Sequence, residues 1–300
     1  VNSYKPISDI LLLMSKTPIS IIFAGTPEFA VPSLNALIAD ESFDVKLIIS
    51  QPDKPVGRKQ EILPTPVAKA AIAAGIAVQQ PEDINALSLE TFDCDFLVVV
   101  AYGQILKQDI LDAPSIAPVN IHASLLPRWR GASPMQSAIL ASDPQTGITI
   151  QRMVKKLDAG PILSQVVLPL EQSTTIEALH DALASAGAAL LIETLKNPLS
   201  EKAQDEEGVT MCHKLKRTMG EVDPASQSAE EIHRHVRALV PWPGVRMHLE
   251  GQDVKLIETS LLETEESIPV QCKDTHLHIV RLQPPGKTPM TGQAWHRGHA

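Results

Sequence analysis

Residues 96–101 read Phe-Leu-Val-Val-Val-Ala, six consecutive apolar positions with no polar residue to turn toward water. A strand that is apolar on both sides belongs inside a sheet covered on both faces, as parallel sheets are. Working outward, residues 19–24 form a similar run that stops at Gly25-Thr26-Pro27, and a helix is expected over 29–39. Residues 45–50 give another strand, closed by Gln51-Pro52-Asp53, and residues 69–74 read as helix. Residues 119–122 look like a strand end, followed by a helix over 135–141. This alternation predicts right-handed βαβ units and an α/β, Rossmann-like, mostly parallel sheet with flanking helices. Residues 147–153 and 162–168 are rich in β-branched residues and close in sequence, which suggests an antiparallel edge. Residues 175–195 read as one long helix stopped by Asn197-Pro198.

The texture then changes. Residues 199–207 are polar and acidic, as a linker is, and residues 1–18 read as a leader expected to be disordered. Between them, 19–198 form the expected catalytic unit. After 208 comes one helix near 230–238 and four short β-type runs at 245–249, 254–259, 268–271 and 277–282, the spacing of a small barrel or sandwich. No stretch approaches the roughly 20 apolar residues that span a bilayer, and no signal-peptide core is apparent. The three cysteines, Cys94, Cys212 and Cys272, are widely separated without a CxxC pair. A reducing cytoplasm is therefore expected, with neither disulfide framework nor metal site.

Net charge is −9, but it is unevenly shared. Residues 1–207 carry 15 Lys and Arg against 24 Asp and Glu, whereas 208–300 carry 11 against 11 and hold eight of the ten histidines. The neutral second part is the better candidate for a polyanion partner.

The first βα turn, Gly25-Thr26-Pro27-Glu28, lacks GxGxxG, which argues against dinucleotide binding. The chemistry concentrates at 120–134, Asn-Ile-His-Ala-Ser-Leu-Leu-Pro-Arg-Trp-Arg-Gly-Ala-Ser-Pro. Asn120 and His122 lie two apart on a strand end and share a face. Ligands of open parallel sheets bind beyond such ends. An amide N–H beside an imidazole can stabilise an oxyanion; alone, His122 reads first as a satisfied structural histidine. Leu125-Leu126-Pro127 offers a rigid apolar wall whose backbone could bond a flat heterocycle. Asp158, in Leu157-Asp158-Ala159-Gly160-Pro161, places a carboxylate in a tight loop, where turn capping is the plainer role.

Together, these two segments resemble the 10-formyltetrahydrofolate-dependent formyltransferases. AGTPEFA at 24–30 and PWPG at 241–244 bring the likeness closest to the methionyl-tRNA formyltransferases, and it extends from about residue 19 to about 297. The resemblance implies that Asn120, His122 and Asp158 are the catalytic trio. It also implies that Ser124, Leu125, Leu126 and Pro127 contact the folate. It further implies formyl transfer from 10-formyltetrahydrofolate to methionyl initiator tRNA, no metal, no membrane, a monomer, and a C-terminal β-barrel of oligonucleotide-binding type. Arg58 and Lys59 fall on the family's tRNA-facing insertion, although Lys59-Gln60-Glu61 stands where the family usually has Gly-Lys-Lys. Lys214, Lys216, Arg234 and Arg237 are the candidate phosphate contacts of the second part, with Arg234 and Arg237 on one helix face. Sister enzymes acting on a small amine such as an amino-sugar nucleotide, or a hydrolase of 10-formyltetrahydrofolate, would share the trio. A folate- or RNA-binding module without activity is the non-enzymatic alternative.

Overall fold

The computed structural model describes residues 17–56, 61–89 and 93–298. Strand β1 (Ile19–Gly25) leads into helix α1 (Val31–Ala39), then β2 (Phe43–Ile49) and a short hairpin of β3 (Lys54–Val56) and β4 (Glu61–Leu63). Next come α2 (Pro66–Ala73), β5 (Val78–Gln79), β6 (Phe96–Val100), α3 (Gln108–Leu111) and β7 (Ala117–His122). Then follow β8 (Arg130–Gly131), α4 (Pro134–Leu140), β9 (Gln145–Arg152), β10 (Ile162–Pro169) and α5 (Ile176–Lys196).

Seven strands form one sheet in the order β10-β9-β7-β6-β1-β2-β5. Strands β5, β2, β1, β6 and β7 are parallel, and β9 and β10 close one side antiparallel. Alternate residues explain why both faces are covered. Ile21, Phe23, Val98 and Val100 enter one core, while Ile22, Ala24, Leu97 and Val99 enter another on the opposite side. Every residue of β6 is buried, as its unbroken apolar run requires.

Helix α5 corrects one expectation. By length and composition its 21 residues could cross a membrane, which the sequence reading had denied to any stretch. In the fold it is a core helix. Leu179, Leu183 and Leu191 recur on the face turned to the sheet. A Cβ at Gly187 would lie 3.1 Å from Ile121, so the helix sits close on β7.

The connection to the second part carries β11 (Met211–Cys212), which pairs with β8 of the first. Strand β12 (Glu221–Val222) and helix α6 (Ala229–Leu239) follow, the latter opened by a capping box of Ser228 and Glu231. Strands β13 (Val245–Leu249), β14 (Gln252–Ser260), β15 (Ile268–Gln271), β16 (His276–Gln283) and β17 (Met290–Thr291) precede the last helix, α7 (Gly292–Arg297). The sheet order is β12-β13-β14-β16-β15, with β17 also on β16. The strand-rich C-terminal unit is thus as expected, but among the described residues no pairing of β12 with β15 closes it. Hydrophobic packing is continuous between the two units, through residues such as Ile139, Ile232 and Leu239. Residues 1–16 of the leader, Arg58 and Lys59 lie outside the described residues.

Candidate active site

The carboxyl ends of the parallel strands are tied by one carbonyl. Tyr102 O accepts from Thr26 Oγ1 at 3.0 Å and from Gln51 Nε2 at 2.9 Å, joining the turns after β1, β2 and β6. The loop holding it bends through two left-handed positions, Ala101 (φ 46°) and Gly103 (φ 92°), and leaves Ile105 exposed. Burial pushes the Tyr102 phenol up to about 12, and its hydroxyl has no partner among the described residues.

Asn120 and His122 stand beside this loop at the end of β7. Strand pairing places Asn120 between Val99 of β6 and Gln151 of β9. Its carboxamide is half-buried and has no hydrogen-bond partner among the described residues, so both donor and acceptor remain available to a ligand. His122 is buried, with 6% of its surface exposed. Its Nε2 lies 2.9 Å from Trp129 O, and its Nδ1 lies 3.7 Å from Asp158 Oδ2. A carbonyl only accepts, so Nε2 carries a proton and the ring turns Nδ1 toward the carboxylate. At 3.7 Å the Nδ1–Asp158 contact is electrostatic and too long for a good hydrogen bond.

Asp158 has a left-handed backbone, φ 48°. Its Oδ2 accepts the Gly131 N–H at 2.9 Å and its Oδ1 accepts Gln151 Nε2 at 3.1 Å. The Gly131 contact needs glycine. Its φ is 124°, and a Cβ there would lie 2.0 Å from Cys212 O. The structure therefore gathers Asn120, His122 and Asp158, drawn from positions 38 apart in sequence, at one end of the sheet.

Residues 124–127 are nearby but engaged in a different way from the sequence expectation. Ser124 O accepts from Thr149 Oγ1, Leu125 O from Arg128 N, Leu126 O from Gln165 Nε2 and Pro127 O from Thr210 N. The Leu126 N–H donates to Thr149 Oγ1 at 3.0 Å, and Ser124 Oγ donates to Arg128 O at 2.6 Å. With these backbone groups held inside the fold, the segment's main offer to a ring is apolar, through half-buried Leu125 and Pro127.

Arg128 and Trp129 form a clamp rather than a loose cationic loop. Both donate to Asp143, through Arg128 Nε at 2.8 Å and Trp129 Nε1 at 2.7 Å, and the guanidinium lies 4.3 Å from the indole centroid. The clamp supports Trp129 in a left-handed conformation, φ 61°, aiming its carbonyl at His122. Arg130 is almost wholly buried and bonds Gln204 and Glu206.

The basic candidates divide. Lys214 and Lys216 are exposed and make no ion pair among the described residues. Arg234 is paired with Glu230 at 2.7 Å within helix α6. Arg237 is partly buried and donates to Thr174 O, just before α5, at 2.9 Å. Burial lowers its pKa from the usual value. Trp242 is half exposed, with Arg217 5.7 Å from its ring. Sequence reading missed Gln151, Gln204 and the Trp129 carbonyl. Only Gln151 carried a signal, since it sits directly across from Asn120 once β7 and β9 are paired.

An asparagine, a histidine and an aspartate gathered at the carboxyl end of the parallel strands form an arrangement suited to proton and acyl transfer. The family model for formyl transferase matches residues 18–195, and that for the formyl transferase C-terminal domain matches 214–300. The chain belongs to the formyl transferase family. It is 42% identical to a methionyl-tRNA formyltransferase of Magnetococcus marinus, over 93% of this chain and 95% of that one. Its fold resembles that of WlaRD, a sugar 3N-formyl transferase solved in the presence of dTDP and 5-N-formyl-THF. That match has a TM-score of 0.66 and 19% identity, and covers 91% of this chain and all of the other. The methionyl-tRNA formyltransferase of Clostridium thermocellum gives 0.58 at 17% identity, covering 81% and 94%.

Proposed function

We propose that this chain transfers the formyl group of 10-formyltetrahydrofolate to the α-amine of methionyl initiator tRNA, at the site of Asn120, His122 and Asp158. The observation that carries the acceptor is the near full-length match, through both parts, to a relative of that name. The site supports the chemistry.

The amine nitrogen bonds to the formyl carbon, and the carbonyl oxygen becomes an oxyanion. The unpartnered Asn120 amide and the Nδ1–H of a protonated His122 stabilise that charge; losing one such donor typically costs roughly 2.7–4 kcal/mol of barrier. Both neighbours of the ring, a carbonyl and a carboxylate, are hydrogen-bond acceptors. Asp158 accepts the proton from the amine, directly or through water. When the carbon–N10 bond breaks, that proton passes to N10, leaving tetrahydrofolate and the formylated amine. Ser124, Leu125, Leu126 and Pro127 wall the folate side, Leu125 and Pro127 by apolar contact.

Residues 19–198 carry the reaction and 208–300 hold the tRNA, joined by 199–207. Of the basic candidates, Lys214 and Lys216 are free to meet phosphates, with Arg58 and Lys59 beyond the described residues. Arg234 and Arg237 would first have to leave Glu230 and Thr174. The working unit, on the family resemblance, is a cytoplasmic monomer.

The test is a formyl-transfer assay with 10-formyltetrahydrofolate and three acceptors: charged initiator tRNA, free methionine and an amino-sugar nucleotide. Formylation of the tRNA alone supports this reading. Turnover on a small amine or on water, with none on tRNA, overturns the acceptor and leaves the site.

A further inference from the structure

The segment between the two parts does more than connect them. From Gln204 to His213 it is bonded to the catalytic loop at successive points. Thr210 Oγ1 accepts the Trp129 N–H at 2.8 Å, and Thr210 O accepts the Arg130 N–H at 2.9 Å. Cys212 pairs with Gly131, and its carbonyl accepts the Ala132 N–H. His213 O accepts from Ser133 Oγ at 2.6 Å. The residues so held include both backbone groups that address the reactive side chains: the Trp129 carbonyl on His122 and the Gly131 N–H on Asp158.

Gln204 reaches furthest inward. Its Nε2 donates to Asp158 O at 2.8 Å and to Gly160 O at 2.7 Å, using both N–H bonds of one amide. Its Oε1 accepts from Arg130 Nε at 2.9 Å. It therefore clamps the carbonyls on either side of Ala159, in a turn where Asp158 itself is left-handed. Left-handed backbone at a non-glycine residue is strained and persists only where the surroundings over-determine it. Gly160 packs closely on β9 with no space for a side chain, since a Cβ there would lie 1.8 Å from Arg152 O.

We propose that Gln204 is a positioning residue for the reaction. It holds the Asp158 turn so that the carboxylate stays on Gly131 and Gln151 and faces His122, and it ties that geometry to the segment leading to the C-terminal part. The inference rests on Asp158 acting in formyl transfer, as read above.

The test is a double-mutant cycle in single-turnover formylation of charged initiator tRNA, using Gln204→Met and Asp158→Asn singly and together. In the otherwise native enzyme, Gln204→Met is expected to lower kcat tenfold or more while KM for tRNA and for the folate stays within twofold. In the Asp158→Asn background the same change should cost less than twofold, because its target is already disabled. Gln204→Glu keeps the side-chain shape and the contact to Arg130 but loses both donors, and it repeats the cycle if Gln204→Met does not fold. A kcat within twofold of native for the single variant overturns the proposal, and so does an equal penalty in both backgrounds. If the native enzyme does not formylate the tRNA, the reading of function fails instead, and that result is separate from either outcome of the cycle.

Discussion

Two histidines, His122 buried and His233 partly buried, show how differently the halves of this chain use one residue type. His122 lies at the carboxyl end of the parallel sheet, with a carbonyl on one ring nitrogen and a carboxylate 3.7 Å from the other. His233 lies on helix α6, its Nδ1 2.9 Å from Thr259 Oγ1 and a partly buried arginine, Arg237, nearby. Burial first, and Arg237 second, push His233 down to about 4. The His122 ring has a hydrogen-bond acceptor or a carboxylate beside each nitrogen, whereas burial and a neighbouring cation keep His233 neutral. The first environment is suited to stabilising developing charge, and the second to packing.

The largest effect expected from this contrast is at the carboxylate. Asp158→Asn keeps the shape and removes the charge beside His122, and kcat should fall by about 10² or more in single-turnover formylation. Gly131→Ala tests the backbone half of the same arrangement. A methyl group directed at Cys212 O from a φ of 124° should lower kcat tenfold or more and reduce the thermal midpoint by several degrees, read by activity and calorimetry.

His233 makes the opposite prediction, visible in stability alone. Its folded pKa of about 4 lies below the ordinary 6.5, so the unfolded chain binds the extra proton between those values. Its contribution is complete above about pH 6.5 and is lost as pH falls toward 4, by the order of 2 kcal/mol after allowance for partial solvent screening. His233→Gln should flatten that part of the curve of unfolding free energy against pH. The smallest effects are on the exposed cations. Lys214→Ala and Lys216→Ala should each raise KM for tRNA a fewfold and reduce the slope of log affinity against log salt by about 1. Arg234→Ala, which removes a cation already paired with Glu230, should do less on both measures.

The parallel sheet was legible because buried strands are written as apolar runs: 96–101 is unbroken, and 19–24 is interrupted only by Ser20. Helix α5 was placed to within a residue at each end. Strands β13 and β15 of the second unit also fell on the short β-type runs at 245–249 and 268–271. Among what escaped were pairings of two or three residues, such as β8 with β11, β12 with β13, and the β3–β4 hairpin. Too short to show a period, they depend on tertiary contact. The family resemblance named Asn120, His122 and Asp158 in the sequence, and the structure brings them together. It also shows what no local pattern could reveal. The Trp129 carbonyl holds His122, Gln204 from a distant segment holds the Asp158 turn, and Arg237 is a strut to Thr174.

The central claim is tested most directly by comparing His122→Ala with His233→Gln in single-turnover formylation of charged initiator tRNA at neutral pH. The account predicts a loss of about 10² or more for His122→Ala, from removal of an oxyanion donor, and a rate within threefold of native for His233→Gln. Equal losses in the two variants, or a His122→Ala enzyme within tenfold of native, would contradict it.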